Sequence, residues 1–535
     1  MEKSKITKSL AVFASVLLII IIGVASFAYF GTFNVNLNNN VAVNINSSSP
    51  GDATFTSKGA TLSLQVPAVN MSQTNAGTLA SQANATLSVE LTGPENLSTT
   101  CIYDVVYEYN SGSNVYGTSP TTKNGDKEIT LQVQSPNGTN NFNQEKNFDS
   151  TSISSYKSGN TYTLVSGATI TSTGTKITQN INIIGRYYNL NVSQDNLAGK
   201  AFSGKIYAVK KTCETKEIPP AKDTILLNNG GKDAIEAKGT PDFTQVATTN
   251  EGMYAAEDDL GMSYYFRGAV DNNWVKFGKD STNKDMYWRI IRINGDGSIR
   301  MIYSGTTAPT ESTKVVMTGE DISIGTSAFN SSYNSSEYVG YMYTIGEQHG
   351  TSTDSEIKLT LDNWYKTTTL ETDENTKKLI ADEIYCNDRD VTSGTWSSTG
   401  SPVYYAPYTR LFNASPAPTL KCTNASDRFT VNASNGNGAL TYPVGLITAD
   451  EIMLAGADNQ WNSNSSYYLY TGQSYWPGSP LYWDRFYANS FIVGHNGSLD
   501  FYYVSTTGAA RGVISLSSES KLLGSGTYND VYTVN

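Results

Sequence analysis

The side chains that could hold a metal ion or move a proton are few in this sequence. Two acidic stretches, 257–259 and 387–390, could supply carboxylate oxygens to calcium. Neither has the spacing of an EF-hand loop, so we interpret both as solvated turns and predict no cofactor, with calcium as the alternative. Glycoside hydrolysis needs two acids roughly 5–9 Å apart, and the sequence singles out no such pair. The two histidines, His349 and His495, are interpreted as turn residues.

The four cysteines bear on the compartment of the protein rather than on catalysis. None has CxxC spacing, so neither a zinc site nor thioredoxin-like redox chemistry is predicted. Four cysteines allow three disulfide pairings. We predict Cys101–Cys213 and Cys386–Cys422, because each pair then stays within one compositional part of the chain. Buried free thiols are the alternative.

Residues 467–503 contain thirteen aromatic side chains, interspersed with Ser, Asn, Gly and Asp. Such mixtures are typical of recognition surfaces, since rings give contact area at little cost in side-chain entropy and can stack on sugars. Seven residues in apparent loops are predicted to form a binding surface: Tyr482, Trp483, Arg485, Tyr487, Asn489, His495 and Asn496. The alternative is that most of the rings fill the core of a β-rich domain, as we expect for Trp476.

Composition excludes some partners and divides the chain. The net charge of the 535 residues is −11, which disfavours a nucleic-acid partner because phosphate binding requires a basic surface. Residues 31–220 contain twelve Lys and Arg and twelve Asp and Glu, whereas residues 221–535 contain 22 and 35, a net charge of −13. A neutral middle part and an acidic C-terminal part predict two separate domains.

The N-terminal segment predicts export. Lys3, Lys5 and Lys8 precede an apolar run over residues 10–30, which is about the length that spans a bilayer as a helix. The lysines should stay in the cytoplasm, so residues 1–30 are predicted to be a transmembrane signal anchor with the remainder outside the cell. A cleaved signal peptide and a secreted product are the alternative.

Residues 31–215 are predicted to form an all-β sandwich. Short alternating runs bounded by Gly, Asn, Pro or Ser indicate strands over 61–66, 85–91, 102–109, 128–133, 161–164, 176–184 and 204–209. Residues 216–222 contain Pro219 and Pro220 and are predicted to be a stiff linker.

Residues 223–535 are predicted to form an α+β domain. Asn-Gly and Gly-rich turns indicate hairpins around 294–297 and 495–497. Apolar spacing predicts helices over 354–368 and 373–385, and a capping box at 448–451 predicts the start of a third. A last strand is predicted over 512–516.

Two resemblances extend this organisation. Residues 188–191 (YNLN), 194–195 (QD) and 199–202 (GKAF) resemble the exported sandwich domains of Gram-positive surface and biofilm-fibre proteins. The C-terminal part, over roughly 221–520, resembles a domain of gut-bacterial surface proteins that is similar to the C-type-lectin and formylglycine-generating-enzyme fold. The motifs that carry this resemblance are 264–269 (YYFRGA), 288–297 (WRIIRINGDG), 445–451 (GLITADE), 476–480 (WPGSP) and 511–516.

The resemblance implies a C-type-lectin-like domain over residues 223–535 with its binding face late in the chain. The formylglycine-generating enzyme works through two cysteines late in its domain, and no cysteine follows Cys422 here. We therefore predict a membrane-anchored surface protein, not an enzyme, that binds an extracellular protein or glycan. A divergent cell-wall or glycan-modifying enzyme and a structural surface-fibre subunit are the alternatives.

Overall fold

The chain forms two compact units, residues 1–217 and 218–535, and strands dominate both. The computed structural model describes residues 41–44, 53–66, 76–95, 97–109, 128–135, 143–148, 157–158, 161–190, 193–194, 197–392, 394–458 and 462–535. The predicted anchor over residues 1–30 lies outside this set. Within it, no helix combines the length and the apolar character needed to cross a bilayer. The prediction of a β-rich chain with more than one domain is confirmed.

Two antiparallel sheets enclose the apolar core of the first unit. Its strands are, in chain order, β1 (Val41–Asn44), β2 (Thr54–Lys58), β3 (Ala60–Gln65), β4 (Leu79–Thr92), β5 (Leu97–Tyr109), β6 (Ile129–Gln134), β7 (Asn143–Asn147), β8 (Lys157–Ser158), β9 (Thr161–Ser172), β10 (Ile177–Tyr188) and β11 (Ala201–Glu217). The sheet orders are β1-β2-β4-β10-β6-β7 and β3-β11-β5-β9-β8. Inward-facing side chains meet between the sheets, as Phe55 and Tyr103 do at 5.7 Å between ring centroids. All seven predicted strands are present in this sandwich.

Both predicted disulfides are formed. Cys101 on β5 lies opposite Cys213 on β11, and Cys386 is bonded to Cys422. No described cysteine is free, so the alternative of buried thiols is wrong. Two disulfides indicate an oxidising environment. The segment predicted as a linker is short in the structure, since β11 extends to Glu217 and the next helix begins at Ala221.

The second unit packs helices and small sheets against a central mixed sheet. Its helices are α1 (Ala221–Asn228), α2 (Lys232–Glu236), α3 (Glu356–Tyr365), α4 (Thr369–Thr372), α5 (Glu374–Lys377), α6 (Ala406–Leu411) and α7 (Ala449–Ala455), with 3₁₀ turns at Glu320–Ile322, Ser336–Val339 and Ala425–Asp427. Its strands are β12 (Asn250–Glu257), β13 (Met262–Gly268), β14 (Trp274–Lys279), β15 (Asp285–Ile293), β16 (Ile299–Tyr303), β17 (Thr326–Ala328), β18 (Met342–Tyr343), β19 (Thr353–Asp354), β20 (Ile380–Ala381), β21 (Tyr385–Cys386), β22 (Val403–Tyr404), β23 (Arg428–Phe429), β24 (Pro480–Trp483), β25 (Ala488–Val493), β26 (Leu499–Tyr503), β27 (Thr507–Ala509), β28 (Val513–Leu516), β29 (Leu522–Leu523) and β30 (Tyr532–Val534). The central sheet has the order β20-β28-β16-β15-β14-β30-β29, and β13 pairs with both β15 and β12.

One of the three predicted helices is wrong. The helix predicted over 354–368 is α3, capped by Ser355, and the predicted capping box of Thr448 and Glu451 opens α7. The helix predicted over 373–385 ends after one turn at Lys377, and its remainder supplies β20 and the start of β21. β20 pairs with β28 at the edge of the central sheet, so strand pairing prevails over the helical spacing of the apolar residues.

Helix α7 is held to the central sheet by a buried carboxylate. Glu451 Oε1 lies 2.9 Å from Arg292 Nε on β15 and 2.7 Å from Arg300 Nε on β16, and Glu451 is 3% exposed. Burial acts to raise the pKa of Glu451, but the charges of Arg300 and Arg292 outweigh it and lower that pKa. The carboxylate therefore stays ionised and joins the helix to two strands.

Replacing this carboxylate should unfold the second unit readily. We expect Glu451→Ala to lower the free energy of unfolding by about 3–5 kcal/mol, because the buried guanidinium group of Arg300 loses its counter-charge and that of Arg292 keeps only Asp258. Urea denaturation followed by tryptophan fluorescence measures this, since all seven tryptophans lie in residues 218–535. The control is Glu257→Ala, whose side chain is 66% exposed beside Lys421 and whose loss should leave the free energy of unfolding close to the wild-type value. Equal losses in the two variants would contradict the assigned role.

Candidate functional site

Three of the seven predicted binding residues lie together at one end of a four-stranded antiparallel sheet, ordered β22-β24-β25-β26. Tyr482 is on β24, and Arg485 and Tyr487 are in the turn from β24 to β25. The Arg485 and Tyr487 side chains are exposed, and that of Tyr482 is half-buried. This end of the sheet is the part of the prediction that the structure assembles.

Trp483 and Asn489 are buried strand residues, so the prediction that they lie in surface loops is wrong. Neighbouring residues of a strand point to opposite faces, and Trp483 therefore enters the core while Tyr482 faces outward. Asn489 shares the outward face but lies in register between Tyr482 and Tyr503 on the adjacent strands. Their larger rings exclude solvent from it.

His495 and Asn496 do not join the other predicted residues. They form the turn from β25 to β26, and the predicted hairpin there is confirmed. Because β25 has six residues, its two ends are about 17 Å apart. Asn496 is used within the turn: its amide donates to Ser463 Oγ, and its Oδ1 accepts from Ser498. The seven predicted residues are therefore not one site.

Tyrosine rings cover the outward face at the Tyr487 end of the sheet. Tyr404, Tyr482, Asn489 and Tyr503 are directly opposite one another across the four strands. We use the name aromatic face for Tyr333, Tyr404, Tyr482, Tyr487 and Tyr503. Within it, ring centroids are 5.9 Å apart for Tyr404 and Tyr482, 4.4 Å for Tyr487 and Tyr503, and 5.4 Å for Tyr333 and Tyr487.

The exposed aromatic side chains of the described residues are concentrated here. They are Tyr333, Tyr404, Phe486, Tyr487, Tyr502 and Tyr503, with exposures of 39–70%, and all lie on this sheet or directly beside it. Tyr333 and Tyr404 were missed by the sequence reasoning because they fall outside 467–503. No local pattern brings a loop residue such as Tyr333 to the face, since its position comes from stacking on Tyr487.

Aromatic packing on the same side of the sheet fixes the ring positions. Phe412, at the end of α6, lies 5.2 Å from Phe491 and 6.4 Å from Phe501 between ring centroids. Tyr408 of α6 packs against Tyr482 at 6.0 Å. Burial, with the nearby charge of Asp484, raises the pKa of Tyr482 to about 12, so its hydroxyl remains a neutral hydrogen-bond donor.

The turn beside the face holds Arg485 in an unusual backbone conformation. Its φ is 87°, a region that favours glycine. Asp484 Oδ1 accepts hydrogen bonds from the backbone N–H groups of Phe486 and Tyr487 at 2.8 and 2.7 Å and so stabilises the turn. An exposed cationic side chain is thus presented at the rim of the aromatic face.

Most of the acidic side chains predicted as possible calcium ligands form ion pairs instead. Asp258 pairs with Arg292 at 2.7 Å, and Asp388 pairs with Arg410 at 2.6 Å. They line a cavity of about 40 Å³ in the second unit, which is room for a water molecule or two. Glu257 and Asp259 are paired with Lys421 and Arg428, respectively.

Glu383 also lines this cavity and has an unusual protonation behaviour. Burial first, and then a hydrogen bond and charge repulsion from Asp296, raise the pKa of Glu383 from 4.5 to about 8. The Asp296 side chain belongs to the turn between β15 and β16. A protonated Glu383 carboxyl that donates a hydrogen bond to Asp296 therefore helps to hold that turn at neutral pH.

Arg485→Gly should stabilise the protein. Glycine adopts a φ of 87° without strain, so we expect the free energy of unfolding to rise by about 0.5–1 kcal/mol, net of the entropy that glycine adds to the unfolded chain. The control is Lys366→Gly, an exposed basic residue at the end of α3 with φ −61°, where glycine relieves no strain and should not raise the free energy of unfolding. Destabilisation by both variants would show that Arg485 is not strained.

Glu383→Gln should change the pH dependence of stability. The stability contributed by the protonated carboxyl is fully present below about pH 4.5 and is lost as the pH rises towards 8, because the unfolded chain ionises first. Glutamine cannot ionise. Between pH 5 and pH 8 the free energy of unfolding of the variant should therefore rise by more than about 1 kcal/mol relative to that of the wild type. The free energies of unfolding of the wild type and the variant are measured by urea denaturation across this pH range. If the two curves were parallel, the raised pKa of Glu383 would be contradicted.

We compared the sequence with protein-family models and with curated proteins. No protein-family model matches the chain, and no curated protein matches it. The resemblance of residues 221–520 to the C-type-lectin and formylglycine-generating-enzyme fold stays a prediction. The function is therefore inferred from the aromatic face and the charged cavity themselves.

Proposed function

We propose that the chain is a bacterial cell-surface protein that binds an external protein or glycan through the aromatic face. The observation that carries the proposal is that the exposed aromatic side chains of the described residues all lie on one small sheet or directly beside it. Single exposed apolar residues are ordinary on protein surfaces, whereas a contiguous group of them marks an interaction site.

The chemistry of the face suits recognition rather than catalysis. Tyrosine offers a broad apolar ring and a hydroxyl that donates and accepts hydrogen bonds, and it loses little side-chain entropy on binding. Arg485 and Asp484 place charges of both signs at the rim. Rings of this kind can pack on an apolar protein segment or against the C–H face of a sugar.

The strands and the helix that support the aromatic face limit the movement of its rings. Tyr404, Tyr482 and Tyr503 stand on paired strands, and Phe412 and Tyr408 support the same face from α6. Binding by a preformed surface avoids the entropy cost of ordering a loop. The proposal therefore rests on rigid side chains and needs no induced rearrangement.

The rival hypothesis of an enzyme would place its chemistry in the charged cavity. A perturbed carboxyl such as Glu383 is the kind of group that marks active sites. However, Asp258, Asp388 and Glu451 in that cavity are engaged by arginines, and about 40 Å³ does not admit a sugar ring. These observations favour a stabilising role for the cavity and a binding role for the aromatic face.

The cellular setting completes the proposal. Two disulfides agree with display outside the cytoplasm. The proposed anchor is the apolar segment within residues 1–30, with the sandwich as a stalk and a C-type-lectin-like unit at the far end of the chain. The acidic C-terminal part disfavours nucleic acid as the ligand.

Removing two rings of the aromatic face should weaken ligand binding. The labelled full chain is applied to arrays of immobilised glycans and of extracellular-matrix proteins, and the probe with the strongest signal is titrated. We expect Tyr487→Ala/Tyr503→Ala to weaken that binding at least about 10-fold, because central aromatic contacts are typically worth more than 1 kcal/mol each.

The matched control is Leu227→Ala, which truncates an apolar side chain on α1 that is 76% exposed. It should bind like the wild type. Far-ultraviolet circular dichroism checks that the double variant is folded. Unchanged binding by a folded double variant would place recognition elsewhere on the chain.

A further inference from the structure

The His349 ring is surrounded by charged side chains. Its Nδ1 is 3.1 Å from both carboxylate oxygens of Asp427, which is fully buried. Asp427 also accepts hydrogen bonds from Arg389, from Nε at 2.8 Å and from the backbone N–H at 2.7 Å. A carboxylate beside a guanidinium group is ionised and can only accept, so Nδ1 of His349 carries the proton.

This arrangement directs the other ring nitrogen towards Asp390. With the proton on Nδ1, Nε2 of His349 presents a lone pair, and it lies 3.6 Å from Asp390 Oδ1. The amide of Asn424 lies beside both atoms: its Nδ2 is 2.7 Å from Asp390 Oδ1 and 3.4 Å from His349 Nε2. An electropositive N–H₂ group thus bridges two electron-rich atoms, at a position that a cation would also favour.

The distances fit two ligands of one metal ion. Bonds of about 2.0–2.2 Å from Nε2 and Oδ1 to a shared ion would subtend an angle near 120° across the 3.6 Å separation. Hydrogen bonding of the second ring nitrogen to a buried carboxylate is the usual support of a metal-binding histidine, because it fixes the tautomer and the ring orientation. Asp427 supplies that support here.

Access and charge also favour a cation. The side chains of His349 and Asp390 are 24% and 39% exposed, so an ion could enter and keep water molecules as further ligands. Among the described residues, no lysine or arginine forms an ion pair with Asp390, whereas Asp258, Asp259 and Asp388 each pair with an arginine. His349, Asp390 and Asp427 are also the group of potential metal ligands that converges within 4.8 Å in this part of the chain.

We propose that His349 Nε2 and the Asp390 carboxylate bind a divalent metal ion of the zinc class, with Asp427 as the positioning residue. An imidazole ligand selects zinc-like ions over calcium, which prefers an all-oxygen shell. Asn424 keeps its Oδ1 on the backbone N–H of Ser426 and gives up its contact with Asp390. With two protein ligands, water molecules would complete the coordination shell of the ion.

The test is a titration of the full chain, freed of metal with a chelator, with Zn²⁺ by calorimetry and with Co²⁺ by visible absorption. We expect one saturable equivalent, a Co²⁺ spectrum of a nitrogen- and oxygen-ligated ion, and no displacement by millimolar Ca²⁺. Asp390→Asn and His349→Ala should each lose at least about 10-fold in affinity. The matched control is His495→Ala, since His495 is the other histidine of the chain.

Asn424→Asp separates a metal site from a structural ion pair. A carboxylate in place of the bridging amide adds a ligand, so the affinity for Zn²⁺ should rise about 10-fold. Asp390→Asn is the decisive loss variant, because its partly exposed side chain can be changed without opening the core. No saturable equivalent in the wild type, equal affinity in wild type and Asp390→Asn, or displacement by Ca²⁺ would each overturn the proposal.

Discussion

Glu451 lies between Arg292 and Arg300 in the interior of the second unit, and the rest of the unit is arranged around these charges. The same side chain closes the capping box of α7, so one carboxylate both starts the helix and fixes it to β15 and β16. Arg292 in turn holds Asp258, which accepts a hydrogen bond from the backbone N–H of Gly295 in the β15–β16 turn. A Cβ at Gly295 would lie 2.3 Å from the backbone nitrogen of Gly261, so the turn can approach this closely only with glycine.

Local sequence patterns were sufficient to predict those elements whose residues are close together in the sequence. Seven of the eleven described strands of the first unit, the hairpin at 495–497 and the capping box at 448–451 follow from alternation, turn residues and a four-residue motif. The helix predicted over 373–385 failed because Ile380 pairs with Leu516 across the sheet edge, a contact between residues far apart in sequence. Helical spacing cannot report such a contact.

Local sequence patterns were also insufficient to predict which residues form the candidate site. Aromatic density pointed to residues 467–503, but the choice between core and surface depends on which face of a strand each ring occupies. Tyr482 and Trp483 are adjacent in sequence but lie on opposite faces of the strand. The pleat directs the Tyr482 side chain outward and the Trp483 side chain into the core. Tyr404 and Tyr333 join the face through strand pairing and ring stacking, and these relations exist only after the chain has folded.

The disulfide between Cys386 and Cys422 connects the predicted export of the chain to the proposed metal site. Asp390 follows Cys386 by four residues and Asn424 follows Cys422 by two, so the bond fixes the two segments that carry the cluster. β21 and β23 pair beside it, which adds backbone hydrogen bonds to the same junction. Closing a loop of 36 residues constrains the unfolded chain by about 4 kcal/mol in the chain-entropy treatment. In an oxidising compartment the proposed metal site therefore has covalent support, whereas the aromatic face is held by the pairing of β22, β24, β25 and β26 and by the packing of its rings.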